Sequence, residues 1–170
     1  FEVGIVDEIK LNPQNRCYLC KKAVFSRLLA RAKELGFTNL ADGTNKDDLG
    51  EYRPGLKAKE ELGVLSPLVN LRKFEIRELS RELNLATAEK PSYACLLTRL
   101  PHEKEISVDE LNLVEAAENL LIKSGYANVR ARLDDRKMKL QMPFSSMQSF
   151  LNDVKFKSIV KELVALGAAE

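Results

Sequence analysis

Lys90-Pro91-Ser92-Tyr93-Ala94-Cys95-Leu96-Leu97-Thr98-Arg99-Leu100-Pro101 is the stretch on which the chain turns. Proline lacks an amide proton and restrains the residue before it, so Pro91 and Pro101 mark a loop with fixed ends. Inside it, Cys95 has Lys90 on one side and Arg99 on the other. Nearby cations favour the thiolate, which is the nucleophile and the metal ligand. Cysteine is also among the most buried residue types, so a packed structural thiol fits the same stretch.

The loop sits in a chain of 170 residues, 45% hydrophobic and 31% charged, with net charge +2. That length supports a real core, as one domain or two small ones. The charge balance provides no strong basic field, and a nucleic-acid partner is not expected. No apolar run reaches transmembrane length and no signal peptide is recognised. Three cysteines cannot all pair internally, which argues against a secreted disulfide framework. A reducing cytoplasm suits them as metal ligands or catalytic thiols.

Before the loop, residues 1–9 read as an extended lead-in. A helix then runs to about Leu35 and stops at Gly36, with Val24, Leu28, Leu29, Ala32 and Leu35 as its apolar stripe. Cys17 and Cys20 fall at its N-terminus, where the helix dipole stabilises negative charge. The pair can be a redox couple, half a metal site, or two packed thiols. Phe37 to Ala41 reads as a buried strand, followed at once by Asp42-Gly43-Thr44-Asn45-Lys46-Asp47-Asp48. Open α/β sheets hold ligands at such a strand end, and an ordinary turn is the plain alternative. Asn70 is positioned to cap a later helix, with Leu71, Ile76, Leu79 and Leu83 toward a core.

After the loop the pattern changes to helix, strand, strand, helix, which suggests a small α+β unit. Ser107 and Glu110 form a capping box for a helix ending at Gly125, with Leu111, Val114, Leu121 and Ile122 on one stripe. Glu118 falls in the middle of that stripe. A carboxylate on an apolar face is costly unless it meets a partner or a ligand. A salt bridge to a neighbouring arginine is the plain solution. A hairpin follows, with its turn near Asp134-Asp135. It carries Val129, Ala131 and Leu133 on one face and Arg130, Arg132, Lys137 and Lys139 on the other. The basic face is either solvated or an anion-binding surface.

Several motifs keep their order along the chain. They are Asn12-Pro13-x-x-Arg16-Cys17-Tyr18-x-Cys20-Lys21, Asp42-Gly43-Thr44-Asn45-x-Asp47-Asp48, Tyr52-Arg53-Pro54-Gly55, Ser66-Pro67-Leu68, Lys73-x-Glu75-Ile76-Arg77, Lys90-Pro91-x-x-x-Cys95-x-x-Thr98-Arg99 and Arg130-x-Arg132. The set resembles the ATP-dependent sacrificial sulfur transferases of the LarE type, in the PP-loop pyrophosphatase superfamily. The resemblance implies an α/β fold: part of an adenine-nucleotide α-hydrolase-like (Rossmann-like) domain over residues 1–90, then a small α+β domain over 91–170.

It also implies an activity. Enzymes of this family adenylylate a carboxylate of a pyridinium mononucleotide, using ATP with Mg, and replace an oxygen with sulfur for a nickel-pincer cofactor. In one branch the sulfur comes from a cysteine that is left as dehydroalanine, and Cys95 matches that donor. In the other branch three cysteines hold a 4Fe–4S cluster, and Cys17, Cys20 and Cys95 match that set. By the same resemblance Glu118 is catalytic, Arg99, Arg130 and Arg132 bind substrate, and Asp42, Gly43, Thr44, Asn45 and Asp48 contact the nucleotide. A homo-oligomer is compatible with the pattern. The glycine-rich phosphate loop that begins the family pattern is absent, so the sequence reads as an internal portion of such an enzyme, inactive alone. Other readings are a different enzyme of the superfamily, such as a tRNA thiolase or an amidotransferase-linked synthase. A non-enzymatic zinc module using Cys17, Cys20, Cys95 and His102 is a further one. Three spatial expectations follow. The three cysteines converge; the loop from Asp42 faces a crevice at a strand end; and Glu118, Arg130 and Arg132 share one cavity on the side of Cys95.

Overall fold

Where apolar side chains recur at helical spacing and meet each other, this chain forms a core, and it does so mainly after residue 90. The computed structural model describes residues 6–50, 53–135 and 137–169. The chain divides into two units, Phe1–Lys90 and Pro91–Glu170.

In the first unit, residues 7–9 form a single 3-10 turn that buries Ile9, where an extended segment was expected; residues 1–5 lie outside the described residues. Helix α1 (Arg16–Glu34) packs on the short α2 (Gly55–Glu61). Tyr18 donates to Glu61 at 2.7 Å, and Lys22 donates to both at 2.9 and 3.0 Å. Those two partners, Tyr18 first and then Glu61, hold the Lys22 ammonium up at about 12. Gly36 ends the helix region with φ +81, a conformation that suits glycine.

Two expectations change here. Phe37 to Ala41 is not a buried strand: Phe37 is 66% exposed, and only Ala41 pairs, in a parallel bridge to Leu65. Asp42 donates its N–H to the Leu65 carbonyl, and Leu65 donates to Leu40, each at 2.8 Å. Parallel strands persist when both faces are covered, and Leu65 is itself half exposed. The third helix, α3, covers Lys73–Glu82 with Arg72, not Asn70, at its cap position. Glu75 decides this by accepting the Arg72 N–H at 2.6 Å. Leu79 and Leu83, expected in a core, are 45% and 70% exposed. The motif residue Tyr52 lies outside the described residues.

The second unit has a continuous core. Ser107 accepts the Glu110 N–H and starts α4 (Val108–Lys123), which stops before Gly125 at φ +98. Strands β1 (Arg130–Asp134) and β2 (Lys137–Gln141) pair antiparallel, with Arg132 opposite Lys139 and Leu133 opposite Met138. Two helices follow, α5 (Phe144–Asn152) and α6 (Phe156–Ala165). Ala117 and Leu121 of α4 meet Ala131 of β1, Phe150 of α5 and Ile159 and Leu163 of α6. Phe150 sets its ring edge-on against Tyr126 and Phe156, with centroids 5.1 and 5.0 Å apart, the geometry that aromatic quadrupoles prefer. Leu100, at the end of the central loop, packs with Val114 and Leu133 in a second cluster. Among the described residues the chain is thus a mixture of helices and one small two-stranded sheet, and none of those helices is long and apolar enough to cross a membrane.

The contrast between the units is measurable. Leu121 is fully buried, so Leu121→Ala is expected to destabilise by about 2–5 kcal/mol in urea unfolding. Leu83→Ala, at an exposed position, is expected to stay within about 0.5 kcal/mol of the parent.

Candidate functional site

The second unit places Cys95 at the start of a 3-10 turn, Leu96–Arg99, whose far end is buried. Cys95 is exposed; Arg99, further along the turn, is 2% exposed. The arginine goes inward because Glu118 is there, itself 4% exposed. Arg99 Nε donates to Glu118 Oε1 at 2.6 Å, and its Nη2 donates to Oε2 at 3.2 Å. This is the two-pronged geometry in which guanidinium and carboxylate match. The Ala131 N–H of β1 donates to the same Oε1 at 2.9 Å. Together these donors are how an apolar helix face accommodates the charge of Glu118.

Arg99 reaches back as well. Its Nη1 donates to Thr98 Oγ1 at 2.7 Å, and Thr98 Oγ1 donates to the Cys95 carbonyl at 2.8 Å. On the outer side, Arg132 Nη1 donates to the Thr98 carbonyl at 2.9 Å, and Arg132 Nε donates to Gln141 Oε1 at 3.1 Å. The Cys95 turn is thus held from beneath by a buried ion pair and from outside by a strand arginine.

This corrects one expectation. Glu118 does not share a cavity with Arg130 and Arg132. Its cation is Arg99, and it meets β1 through a backbone amide. The strand period explains the difference: Ala131 is buried, while the arginines on either side of it are exposed. Arg130 lines a small cleft of about 40 Å³ with Arg99 and with Ser92, Tyr93 and Ala94, the three residues directly before Cys95 in sequence. Arg132 is engaged with Thr98 and Gln141. Thr98 and Gln141 were not singled out as site residues. Thr98 stood in the quoted motif, yet a hydroxyl in a turn gives no sign in sequence of which carbonyl it will meet.

In the first unit the loop from Asp42 begins at the Ala41–Leu65 bridge. Asp42 accepts from Ser66 Oγ at 2.6 Å, from Thr44 Oγ1 at 2.6 Å and from the Thr44 N–H at 3.1 Å. Lys59, buried, donates to Ser66 Oγ at 2.5 Å. Burial raises the Asp42 carboxyl, but the bonds from Ser66 and Thr44 and the Lys59 charge outweigh it and hold the carboxyl below its usual value. The Asn45 N–H donates to Asp48, the Asp47 N–H to Asn45 Oδ1, and Arg53 pairs with Asp48 at 2.9 Å. Most of the loop's acceptors are thus engaged within the unit. The loop still opens on a cleft of about 290 Å³, where Asp42, Gly43, Thr44 and Asp48 face Lys21 and Arg53. Lys21 passes close over Gly55, where a Cβ would lie 2.6 Å from the Lys21 Cδ and would push that flexible side chain aside. Lys21 stood in a quoted motif but was not assigned to this cleft.

Cys17 and Cys20 lie on successive turns of α1, exposed and half-buried respectively. Among the described residues of either unit, no group of three or more His, Cys, Asp or Glu side chains comes together to hold a metal ion.

No protein-family model matches the chain. It is 39% identical to an uncharacterized protein of Synechocystis over 92% of this chain and 59% of that protein. It is 33% identical to the pyridinium-3,5-bisthiocarboxylic acid mononucleotide synthase of Lactiplantibacillus plantarum over 95% of this chain and 58% of that enzyme. A tRNA-specific 2-thiouridylase of Carboxydothermus hydrogenoformans is 34% identical over 45% of this chain and 27% of its own length. The chain thus spans a little over half the length of the first and second of these relatives.

The ion pair gives a sharp test. Glu118→Ala leaves the Arg99 guanidinium buried without its carboxylate and is expected to destabilise by about 3–5 kcal/mol in denaturant unfolding. Arg130→Ala, at an exposed strand position, is expected to change stability by no more than about 0.5 kcal/mol.

Proposed function

We propose that the chain belongs to the LarE-type sulfur transferases, and that Cys95 donates the sulfur that replaces an oxygen of an activated carboxylate. The observation that carries this is the presentation of Cys95: an exposed thiol at the open end of a turn whose other end is locked by a buried ion pair. The similarity to the bisthiocarboxylic acid mononucleotide synthase, over nearly all of this chain, supports the same class of substrate, a pyridinium mononucleotide carboxylate.

Each residue then has a task. The Cys95 thiolate attacks the adenylylated carboxyl carbon, and the nucleotide leaves. Arg130, with Tyr93 beside it in the small cleft, offers a cation to the substrate's carboxylate or phosphate. Arg132 holds the outer side of the Cys95 turn through the Thr98 carbonyl. In this reading Arg99 and Glu118 position the turn from beneath rather than touch substrate, since both are buried and engaged with one another. ATP and Mg belong to the cleft under the Asp42 loop, where Lys21 and Arg53 supply positive charge and Gly43 lets the backbone come close.

A three-thiolate cluster is the other source of sulfur in this reading. The donor set fits in type, because such clusters are held by cysteine thiolates. The first unit by itself brings two thiols, Cys17 and Cys20, to one end of α1. When bound, the cluster would carry a sulfide in place of the cysteine's own sulfur. Cys95 as sacrificial donor needs no such group.

Peptide mass spectrometry after turnover by the full-length protein with ATP, Mg and the pyridinium mononucleotide separates the two. The donor reading predicts that Cys95 loses the mass of one hydrogen sulfide, one cysteine per thiocarboxylate formed, while Cys17 and Cys20 stay intact. Product formed with Cys95 intact, by protein that contains iron and acid-labile sulfide after anaerobic purification, would overturn it.

A further inference from the structure

Thr98 carries two hydrogen-bond donors, and both meet the same oxygen. Its backbone N–H lies 2.9 Å from the Cys95 carbonyl oxygen, and its Oγ1 hydroxyl lies 2.8 Å from it. We propose that Thr98 is a catalytic residue of carbon–sulfur cleavage at Cys95, stabilising the enolate that forms on the Cys95 carbonyl oxygen. The role rests on the reading of Cys95 as sulfur donor.

The chemistry requires such a group. In the first step the Cys95 sulfur bonds to the carboxyl carbon of the acyl adenylate, the carbon–oxygen bond to the nucleotide breaks, and AMP departs with the electron pair. In the second step a base takes the proton from the Cys95 Cα. Cys95 is exposed, so hydroxide or a buffer base reaches it from solvent. The electrons of the C–H bond move toward the carbonyl, and negative charge develops on its oxygen. They return as a Cα–Cβ double bond while the Cβ–S bond breaks, and sulfur leaves as the thiocarboxylate. The residue becomes dehydroalanine, and no oxidant or reductant is consumed.

A backbone Cα proton is a weak acid. The barrier therefore falls most where donors are already aimed at the oxygen that gains charge, as in an oxyanion hole. Thr98 supplies two. Its hydroxyl is also held in register: Arg99 Nη1 donates to Oγ1 at 2.7 Å, which occupies a lone pair and turns the O–H toward Cys95. A hydroxyl that accepts from a cation is a stronger donor in turn. Arg99 is fixed by Glu118, and Arg132 fixes the Thr98 carbonyl. A turn threonine often bonds a nearby carbonyl for local reasons alone. Here the same hydroxyl also accepts from a buried, two-pronged arginine, and the carbonyl belongs to the residue that must lose its Cα proton.

The test uses the whole chain and no substrate. A dibromo diamide reagent alkylates cysteine twice to a cyclic sulfonium, which then eliminates to dehydroalanine by loss of the Cα proton. Elimination at Cys95 and at Cys17 is followed by peptide mass spectrometry in the parent protein, Thr98→Val and Thr98→Ser. Cys17 reports any difference in reagent or base. Thr98→Val is expected to slow elimination at Cys95 by about a hundredfold. Thr98→Ser, which keeps the hydroxyl, is expected to stay within a few fold of the parent, with Cys17 unchanged throughout. Thr98→Ala takes the place of the valine variant if circular dichroism finds that variant unfolded. Elimination at the parental rate without the hydroxyl would overturn this role while leaving Cys95 as donor. Turnover that leaves Cys95 intact would overturn the donor reading, and this role with it.

Discussion

A guanidinium and a carboxylate, both withdrawn from water, hold the second unit's candidate site in place. Arg99 and Glu118 come from a loop and a helix, 19 residues apart, and each satisfies the other at 2.6 Å. Burying either alone would carry a large desolvation penalty, and two-pronged bonding offsets it only in a narrow geometry. The geometry then propagates. Glu118 also accepts from Ala131, so the same carboxylate ties α4 to β1. Arg99 also donates to Thr98, so it reaches the carbonyl of Cys95 through one hydroxyl. Leu97 and Leu100 also anchor the turn by apolar packing, and the ion pair adds a directional contact that packing does not supply.

The first unit is organised differently. It holds its loop by hydrogen bonds among small polar side chains, with Asp42 at the centre and Lys59 and Ser66 behind it. Its apolar residues contribute less: among the described residues, Ile9, Ala58, Val64 and Ala88 are its buried hydrophobic side chains. The cleft beside the loop therefore depends on polar contacts and on one close approach, that of Lys21 past Gly55. A site built in this way is sensitive to side-chain identity at Ser66, and less so to the volume of the helices around it.

Part of this was legible in the sequence. Glu118 announced itself as a carboxylate in an apolar stripe, and the conclusion that it must have a partner was sound because desolvation leaves no alternative. Its partner was not legible. The nearest cations in sequence, Arg130 and Arg132, alternate to the solvent side of β1, while the arginine that answers Glu118 comes from the proline-bracketed loop. The caps divide in the same way. Ser107 and Glu110 marked the start of α4, whereas Asn70 suggested a start for α3 that the Glu75 side chain moved to Arg72. The Phe37–Ala41 strand failed because a short apolar run fits several environments, and pattern alone does not supply the neighbours that a parallel strand needs.

The central claim is that the buried pair, and not packing alone, fixes the turn that presents Cys95. Replacing both charges together, as Arg99→Met with Glu118→Leu, removes the pair without stranding either ion. Such replacements by apolar groups of similar volume are often neutral or stabilising, by about 1–4 kcal/mol; here the Ala131 N–H also loses its acceptor, at a cost of about 1–3 kcal/mol, and the fold is expected to survive the sum. Amide hydrogen exchange at Thr98 then reads the turn directly, since that N–H donates to the Cys95 carbonyl at 2.9 Å. The account predicts faster exchange at Thr98 in the double variant, with exchange at Leu121 in the core unchanged. Equal protection of the Thr98 amide in the two proteins would contradict it.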